Sequence, residues 1–344
     1  LYIFLEYMTN QFAKYGIKLT IGMQTNATNV NKEKMRIFSK YLTSIGISYD
    51  GNSGSNDLRS SNLYEYYNNL FQEIERYNIK KGIITVVTSH NIDKLEENVE
   101  KTNINYTYNI FNNPYENIEN NPLGKLNVDN DVFDKIYKRQ IINFYNGSKY
   151  VDGKFRTNIA MALNDFISFH KHTFHSGCEG KICGTAIDMI AVRPNGEVGY
   201  CDRWKEENPE NFIMNAWDYD FLGAKQLKHA IKIGIHKHNA MKKLGCDTCP
   251  ADYFCHHDCI AWDYSVYGKY ELSDRDCKIY KPMYQFIKDN LIEIFTKLAE
   301  NNIDLDIIDD FYAFKLDTLN LLKEHNIKLQ YDESNNKIKV SIIK

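Results

Sequence analysis

All eight cysteines of this 344-residue chain lie between Cys178 and Cys277. Such clustering needs a local cause, and disulfide frameworks, zinc sites and iron–sulfur clusters all produce it. Disulfide frameworks suit small secreted domains that cannot build a hydrophobic core. This chain is long enough for more than one core, so we expect its cysteines to bind metal.

The cysteines form two groups. The first group, with the glycine that belongs to its pattern, is Cys178-x4-Cys183-x12-Gly196-x4-Cys201. The second group is Cys246-x2-Cys249-x5-Cys255-x3-Cys259-x17-Cys277. Eight thiolates are enough for two 4Fe–4S clusters, and they are equally enough for two four-cysteine zinc sites. Spacing alone leaves both metals open.

Charge and hydropathy exclude two classes of partner. The net charge of −3 and the isoelectric point near 6.4 give no sign of a basic nucleic-acid surface. No apolar run approaches the length of about 20 residues that a bilayer span requires. We therefore expect neither a nucleic-acid nor a membrane partner. The chain opens at Leu1 in a helical pattern and without an initiator Met, which we interpret as a cut end.

The first 112 residues alternate between helical and strand patterns. Their periodicity predicts helices at 5–15, 31–42 and 63–77, and strands at 18–24, 45–49, 82–88 and 103–111. Strands that alternate with helices indicate right-handed βαβ units. The fold class is therefore α/β, with a parallel sheet or barrel.

The rest of the chain mixes helices with short hairpins. The pattern predicts helices at 129–145, 157–172, 280–300 and 306–324. Arg193-Pro-Asn-Gly196 separates two strand-like runs, and Asn-Gly in that place is a strong hairpin signal. A second hairpin is predicted at 327–343, turning at 333–336.

Two polar segments follow predicted strands of the first half. They read Met23-Gln24-Thr25-Asn26-Ala27-Thr28 and Ile47-Ser48-Tyr49-Asp50-Gly51, with Arg59 shortly after. Each alone could be an ordinary strand exit or turn. Their order, followed by the cysteine pattern, resembles radical S-adenosylmethionine enzymes that carry a SPASM domain, such as anaerobic sulfatase-maturating enzymes and peptide maturases.

The resemblance implies an architecture and two sets of ligands. It implies a partial radical S-adenosylmethionine (β/α) barrel at 1–165, a SPASM domain at 166–285 and a C-terminal α/β extension at 286–344. One auxiliary 4Fe–4S cluster would be held by Cys178, Cys183, Cys201 and Cys259. The other would be held by Cys246, Cys249, Cys255 and Cys277. The family's Gly-Gly before its equivalent of Cys259 is replaced by His256-His257-Asp258, which leaves the ligands intact but changes the local backbone.

Further residues follow from the same resemblance. Gln24, Ser48 and Arg59 would contact S-adenosylmethionine, because polar groups at the ends of parallel strands are where a barrel places its chemistry. Asp202, next to Cys201, would be the catalytic base that takes a proton from the substrate, if it is partly buried. The alternative is a solvated turn carboxylate paired with Arg203. The histidines at 170, 172, 175, 256 and 257 are interpreted as outer hydrogen-bond donors or surface residues.

The family's Cys-x3-Cys-x2-Cys loop, which binds the catalytic cluster, is absent from these 344 residues. The resemblance therefore implies an N-terminally truncated, cytoplasmic enzyme that modifies a peptide or protein, inactive as this fragment. In full-length form it would use S-adenosylmethionine, a third 4Fe–4S cluster, and a reducing partner such as ferredoxin or flavodoxin. The alternative is a non-enzymatic zinc or iron–sulfur module for electron transfer or binding.

Overall fold

The chain forms two compact units. The computed structural model describes residues 1–51, 63–74, 76–94, 97, 106–110, 128, 130–148, 151, 153–171, 183–185, 187, 189–203, 212–215, 224–255, 257, 259–308 and 310–343. Unit 1 comprises Leu1–Phe133 and Ser148–Arg156, and unit 2 comprises Asp134–Gly147 and Thr157–Lys344. The three-domain division at 165 and 285 stays a prediction. Across these described ranges, no helix is both long and apolar enough to cross a bilayer.

Unit 1 is built on a parallel four-stranded sheet in the order β1-β2-β3-β4. The strands are β1 Gly22–Thr25, β2 Ser44–Ser48, β3 Lys80–Val87 and β4 Tyr106–Ile110. The helices described in this unit are α1 Tyr2–Lys14, α2 Lys32–Phe38 and α3 Leu63–Ile74. Asn31 caps α2, because its side-chain oxygen accepts a hydrogen bond from the Lys34 backbone N–H at 2.9 Å. The prediction of an α/β fold with a parallel sheet is confirmed.

The two faces of this sheet differ in burial. Ile45, Ile47 and Ile83 point to one face and are at most 2% exposed, as expected for the β-branched core of a parallel sheet. On the opposite face Gln24 is exposed, and Ser48 is half-buried. Parallel sheets are normally covered on both faces, so this open face has room for a further layer or a bound molecule.

Unit 2 combines helices with small antiparallel sheets, whose strand orders are β6-β7-β8, β5-β10 and β11-β12-β9. The strands are β5 Ser168–Lys171, β6 Ala191–Val192, β7 Glu197–Gly199, β8 Phe212–Asn215, β9 Leu305–Asp306, β10 Asp310–Phe314, β11 Ile327–Asp332 and β12 Lys337–Ile342. The helices are α4 Asn130–Tyr145, α5 Gly153–Ile167, α6 Ala224–Leu244, α7 Ile260–Tyr267, α8 Arg275–Asp289, α9 Leu291–Glu300 and α10 Leu316–Glu324. Helices α4 and α5 begin in segments of unit 1.

Both predicted hairpins are confirmed. Strands β6 and β7 pair around the Asn-Gly turn, with Val192 opposite Val198 and Gly196 at φ +87°. Such a φ is open to glycine at little cost. Strands β11 and β12 pair over their whole length around the turn 333–336.

The helix predicted at 157–172 is wrong at its end. It ends at Ile167, and β5 follows at once, antiparallel to β10. The Ser168 hydroxyl donates to the Asn164 carbonyl at 2.8 Å, a contact that bends and weakens a helix terminus. The helix predicted at 306–324 is wrong in its first half for the same reason, because β10 pairs with β5 before α10 begins. The helix predicted at 280–300 is two helices, interrupted at Asn290.

Candidate functional site

Three members of the second cysteine group, Cys246, Cys249 and Cys255, lie in a series of tight turns after α6. Gly245 ends the helix in the left-handed region, at φ +74°, and a 3-10 turn at Cys246–Thr248 follows. The backbone N–H of Cys249 donates to the Cys246 carbonyl at 3.0 Å, and that of Cys255 donates to the Ala251 carbonyl at 3.1 Å. Each turn reverses the chain over a few residues, so thiols separated in sequence return to one neighbourhood.

The electrostatics of Cys246 identify its neighbours. Burial, followed by the negative charges of Cys277, Asp252 and Cys249, raises the pKa of the Cys246 thiol to about 11. Cys277 comes from α8, which starts far along the chain from the turns. Two other cysteines therefore lie within electrostatic reach of Cys246.

Cys255 and Cys277 complete this arrangement. Burial raises the pKa of Cys255, followed by the charge of Asp276 and those of Cys277 and Cys246. Burial also raises the pKa of Cys277, while the Lys281 ammonium lowers it and Cys249 raises it. These four cysteines, Cys246, Cys249, Cys255 and Cys277, are called the four-thiol group below.

The four-thiol group has the chemistry of a ligand set. Thiolates bind metal, and thiols whose pKa is raised by burial and by neighbouring charges, as at Cys246, Cys255 and Cys277, lose their protons readily only when a cation compensates the charge. Together with Cys249 they supply four sulfurs, the number that a 4Fe–4S cluster or a structural zinc ion takes. Within the described residues, no three Cys, His, Asp or Glu side chains converge tightly enough to enclose a single ion.

Cys183 and Cys201 of the first cysteine group lie at a hydrophobic core of unit 2. Cys201 directly follows the β6–β7 hairpin and is buried in this core, and Cys183 and Cys259 pack against it. Cys246 is part of the same core, so both cysteine groups meet in one region of unit 2. Cys178 lies outside the described residues.

His257 lies in the segment His256-His257-Asp258 that stands where the resemblance implies Gly-Gly, and its backbone is unusual. This residue has φ +55°, a conformation that glycine adopts freely and other residues rarely adopt. Its backbone N–H donates to the Cys255 sulfur at 3.4 Å. Its buried ring places Nε2 at 2.7 Å from Oδ1 of Asp252. The sequence identified His257 as an outer donor or surface residue, and its burial had no signal in the sequence. His256 and Asp258 lie outside the described residues.

Gln24 and Ser48 lie on the same face of the parallel sheet. Gln24 is paired in register with Gly46, two residues before Ser48 on the neighbouring strand. Because side chains alternate between faces, Gln24, Gly46 and Ser48 all point to the open face. A β-carbon at position 46 would lie 3.2 Å from Cδ1 of Ile84 and 3.5 Å from Cγ of Gln24, so the glycine there accommodates the close Ile84 side chain. Arg59 lies outside the described residues.

The strand ends beside this face are fixed by buried and partly buried hydrogen bonds. Oδ1 of Asp50 accepts the Val86 backbone N–H at 2.8 Å. The Asn91 amide donates to the carbonyls of Asp50 and Val86 at 3.1 and 2.9 Å. The Tyr67 hydroxyl donates to the Asn26 carbonyl at 2.6 Å, at the end of β1. These contacts position the ends of β1, β2 and β3, and the role of Asn91 had no distinctive sequence signal.

Asp202 lies at an exposed turn. Its side chain is 76% exposed, and Oδ2 lies 3.9 Å from Nε of Arg203. This contact is the solvated pairing that the sequence offered as the alternative to catalysis. The described residues provide no burial for this carboxylate.

No protein-family model matches the sequence, and no curated protein matches it. Solved structures of anSMEcpe, an anaerobic sulfatase-maturating enzyme, do match. The polyhistidine-tagged protein with bound AdoMet aligns at TM-score 0.64 and 17% identity, over 85% of this chain and 76% of that chain. The native protein with AdoMet and the Kp18Cys peptide aligns at TM-score 0.64 and 18% identity, over 85% and 80%. The chain therefore has a mixed α/β fold similar to that of anSMEcpe.

Proposed function

We propose that this chain is part of a radical S-adenosylmethionine enzyme that modifies a peptide or protein side chain and carries two auxiliary 4Fe–4S clusters. The observation that carries the proposal is the four-thiol group, gathered from a turn-rich loop and α8. It coincides with one complete ligand set implied by the family pattern, in a chain whose fold is similar to that of anSMEcpe.

In this proposal the ligand sets do not follow the two cysteine groups, because Cys259 of the second group binds the same cluster as the cysteines of the first group. The four-thiol group would hold one cluster, and Cys178, Cys183, Cys201 and Cys259 would hold the other. The shared core around Cys183, Cys201 and Cys259 supports the second assignment. Cys201 is buried in this core, and Cys183 and Cys259 are partly buried against it, so the core would limit the access of water to the cluster and tune its reduction potential.

The open face of the parallel sheet would line the substrate and cofactor side of a (β/α) barrel. Gln24 and Ser48 would hold polar groups of S-adenosylmethionine there, and Arg59 would bind its carboxylate through a charge-assisted contact. When bound, S-adenosylmethionine and a third 4Fe–4S cluster would supply a 5'-deoxyadenosyl radical that abstracts a hydrogen atom. The 344 residues contain no Cys-x3-Cys-x2-Cys loop, so the proposal assigns that cluster to residues outside them.

The substrate in this proposal is a peptide, as in the solved complexes of anSMEcpe with the Kp18Cys and Cp18Cys peptides. Asp202 would act as the base only if substrate binding covers its exposed carboxylate. Because the Asp202 carboxylate is exposed, we rank a general peptide maturase above a sulfatase maturase. The domain division at 165 and 285, a cytoplasmic location and a ferredoxin or flavodoxin as reducing partner belong to the same proposal.

A second candidate is a non-enzymatic zinc or iron–sulfur module. The four-thiol group favours it, because four cysteines can bind a structural zinc ion or an electron-transferring 4Fe–4S cluster without any radical chemistry. Both candidates use the same cysteines and differ in the metal and in the presence of radical chemistry.

Anaerobic reconstitution followed by metal analysis tests the proposal. We expect about eight irons and eight sulfides per chain, with brown colour. Stoichiometric zinc without visible absorbance would overturn it. The encoded full-length protein, supplied with a reductant and S-adenosylmethionine, should release 5'-deoxyadenosine, whereas these 344 residues alone should not. Release of 5'-deoxyadenosine by these 344 residues alone would contradict the assignment of the catalytic cluster to residues outside them.

A further inference from the structure

Helix α6 carries a row of exposed aliphatic side chains. Leu227, Ile231 and Ile235 are 63%, 54% and 55% exposed. They recur every four residues, so they form one continuous stripe along the helix. Single exposed aliphatic residues are ordinary on protein surfaces, but a contiguous apolar row marks an interaction site.

The same helix is strongly cationic. Its 21 residues contain six lysines and no aspartate or glutamate, in a chain of net charge −3. Lys228 and Lys242 are exposed beside the stripe, and His238 is exposed between them along the helix. An apolar centre flanked by charges of one sign is the anatomy of a protein-docking surface. A partner surface complementary to this helix would be acidic and would have an apolar centre.

The inner side of α6 contacts the proposed cluster ligands. Ala230, Ile233 and Met241 pack in the core that contains Cys201 and Cys246. The His229 ring stacks on Tyr200 with 3.5 Å between the ring centroids, next to Cys201 in the chain. An α-helix with its side chains is about 10–12 Å across. The outer stripe is therefore about one helix diameter from a cysteine of each proposed ligand set.

We propose that the stripe Leu227, Ile231, Ile235, with Lys228, His238 and Lys242 around it, docks an acidic electron-transfer protein of the iron–sulfur class. This inference rests on the proposed function. One electron would pass from the reduced partner to a 4Fe–4S cluster behind α6, so the partner is oxidised by one electron and the cluster is reduced by one. No atom is transferred and no other reactant is needed.

Two other occupants have weaker support. A cationic amphipathic helix can lie on an anionic membrane, but such helices insert a broad apolar face that includes aromatic residues. Here the broad apolar side of α6 is buried in the protein core, and the outer stripe has no aromatic residue. A second copy of this chain would place two cationic helices against each other, which like-charge repulsion opposes.

The test uses the cluster-loaded protein and an acidic two-cluster bacterial ferredoxin reduced with dithionite. An apolar variant combines Leu227→Ser, Ile231→Ser and Ile235→Ser, and a charge variant combines Lys228→Glu and Lys242→Glu. The matched control combines Ile342→Ser and Lys328→Glu, which are exposed on the terminal hairpin. Calorimetry gives the affinity, and anaerobic stopped-flow absorbance gives the rate of cluster reduction. Circular dichroism and iron content verify that each variant is folded and loaded.

We expect the apolar variant to bind more than about tenfold more weakly. The charge variant should be reduced more slowly and lose most of the salt dependence that wild type shows. The control should match wild type. Equal binding and reduction in all variants would overturn the inference. The inference would also be overturned if the stripe variants bound ferredoxin as wild type does but no longer bound vesicles containing phosphatidylserine. The same holds if they bound ferredoxin normally but no longer formed a dimer that light scattering detects in wild type.

The outcomes separate this inference from the proposed function. If the wild-type protein takes up no iron or sulfide, the proposed function fails, and the electron-transfer inference fails with it. If the clusters are present but the stripe variants behave like wild type, only the docking surface is wrong.

Discussion

The Nε2 atom of His257 lies 2.7 Å from the Oδ1 atom of Asp252, and the imidazole is almost completely buried. His257 stands between Cys255 and Cys259, which are proposed ligands of different clusters. Its backbone N–H also donates to the Cys255 sulfur. The pair therefore fixes the short segment that links the two sites.

Replacing His257 should change the cluster held by Cys255 more than it changes the fold. His257→Ala removes the contact with Asp252 and leaves a residue that resists a positive φ. We expect iron to be held about 10–100-fold more weakly at that site. His257→Gly keeps the N–H···S donor and accepts the backbone conformation, so it should fall between wild type and His257→Ala.

Iron retention against a chelator and the reduction potential of the cluster measure this effect. A role limited to packing would leave the potential unchanged in every variant that retains iron. Unchanged iron retention and potential in His257→Ala would show that the segment does not need the pair.

Single cysteine replacements should reveal which of the two clusters each cysteine binds. Cys255→Ala and Cys259→Ala differ by only four positions, yet they should damage different clusters, each with the loss of about four irons. Cys255→Ala should match Cys277→Ala in its electron paramagnetic resonance spectrum, and Cys259→Ala should match Cys201→Ala. Identical spectra for the variants at 255 and 259 would contradict the partition.

The sequence predicted what depends on local pattern. Alternating patterns indicated the parallel sheet of unit 1, and the Asn-Gly dipeptide before Glu197 indicated the β6–β7 hairpin. The cysteine order supplied the set that includes Cys246 and Cys277, whose thiols the structure brings within electrostatic reach. These features are visible because their causes lie within a few residues of one another or in a fixed spacing.

What the sequence missed depends on distant pairing. Strand β5 was predicted as the end of a helix, because its partner β10 lies far along the chain and was itself predicted as helix. Tertiary pairing overrides local propensity in such segments. The burial of His257 and the role of Asn91 were missed for a similar reason, since each depends on groups that the fold brings together.

Asn91 should be important for the stability of unit 1. It is 1% exposed, its amide donates to the carbonyls of Asp50 and Val86, and its Oδ1 accepts the Thr88 N–H at 2.8 Å. Asn91→Ala leaves these buried groups without their partner. We expect a loss of about 1–3 kcal/mol in the free energy of unfolding, measured by urea denaturation.

The matched control for this prediction is Asn10→Ala, at an exposed position of α1. Its effect should stay within about 0.5 kcal/mol. Equal stability of the two variants would mean that water replaces the Asn91 contacts without cost.

The terminal hairpin should lose stability in acid through Asp332. Its carboxylate accepts hydrogen bonds from Lys339 Nζ at 2.7 Å, from the Ser334 hydroxyl at 2.6 Å and from Asn335 Nδ2 at 3.1 Å. The Lys339 contact, followed by those of Ser334 and Asn335, holds the pKa of Asp332 well below its usual range.

A carboxyl group whose pKa is lower in the folded than in the unfolded state contributes stability above its unfolded pKa, which is about 3.9. This contribution is lost as the pH falls through that value toward the lower folded pKa. Asp332→Asn should therefore be less stable than wild type at neutral pH, and the difference should shrink below about pH 4. Thermal melts at neutral and acid pH measure it. Glu333→Gln, an exposed neighbour in the same turn, should follow the wild-type profile, and a gap between wild type and Asp332→Asn that stays constant into acid would show that the charge of Asp332 contributes nothing.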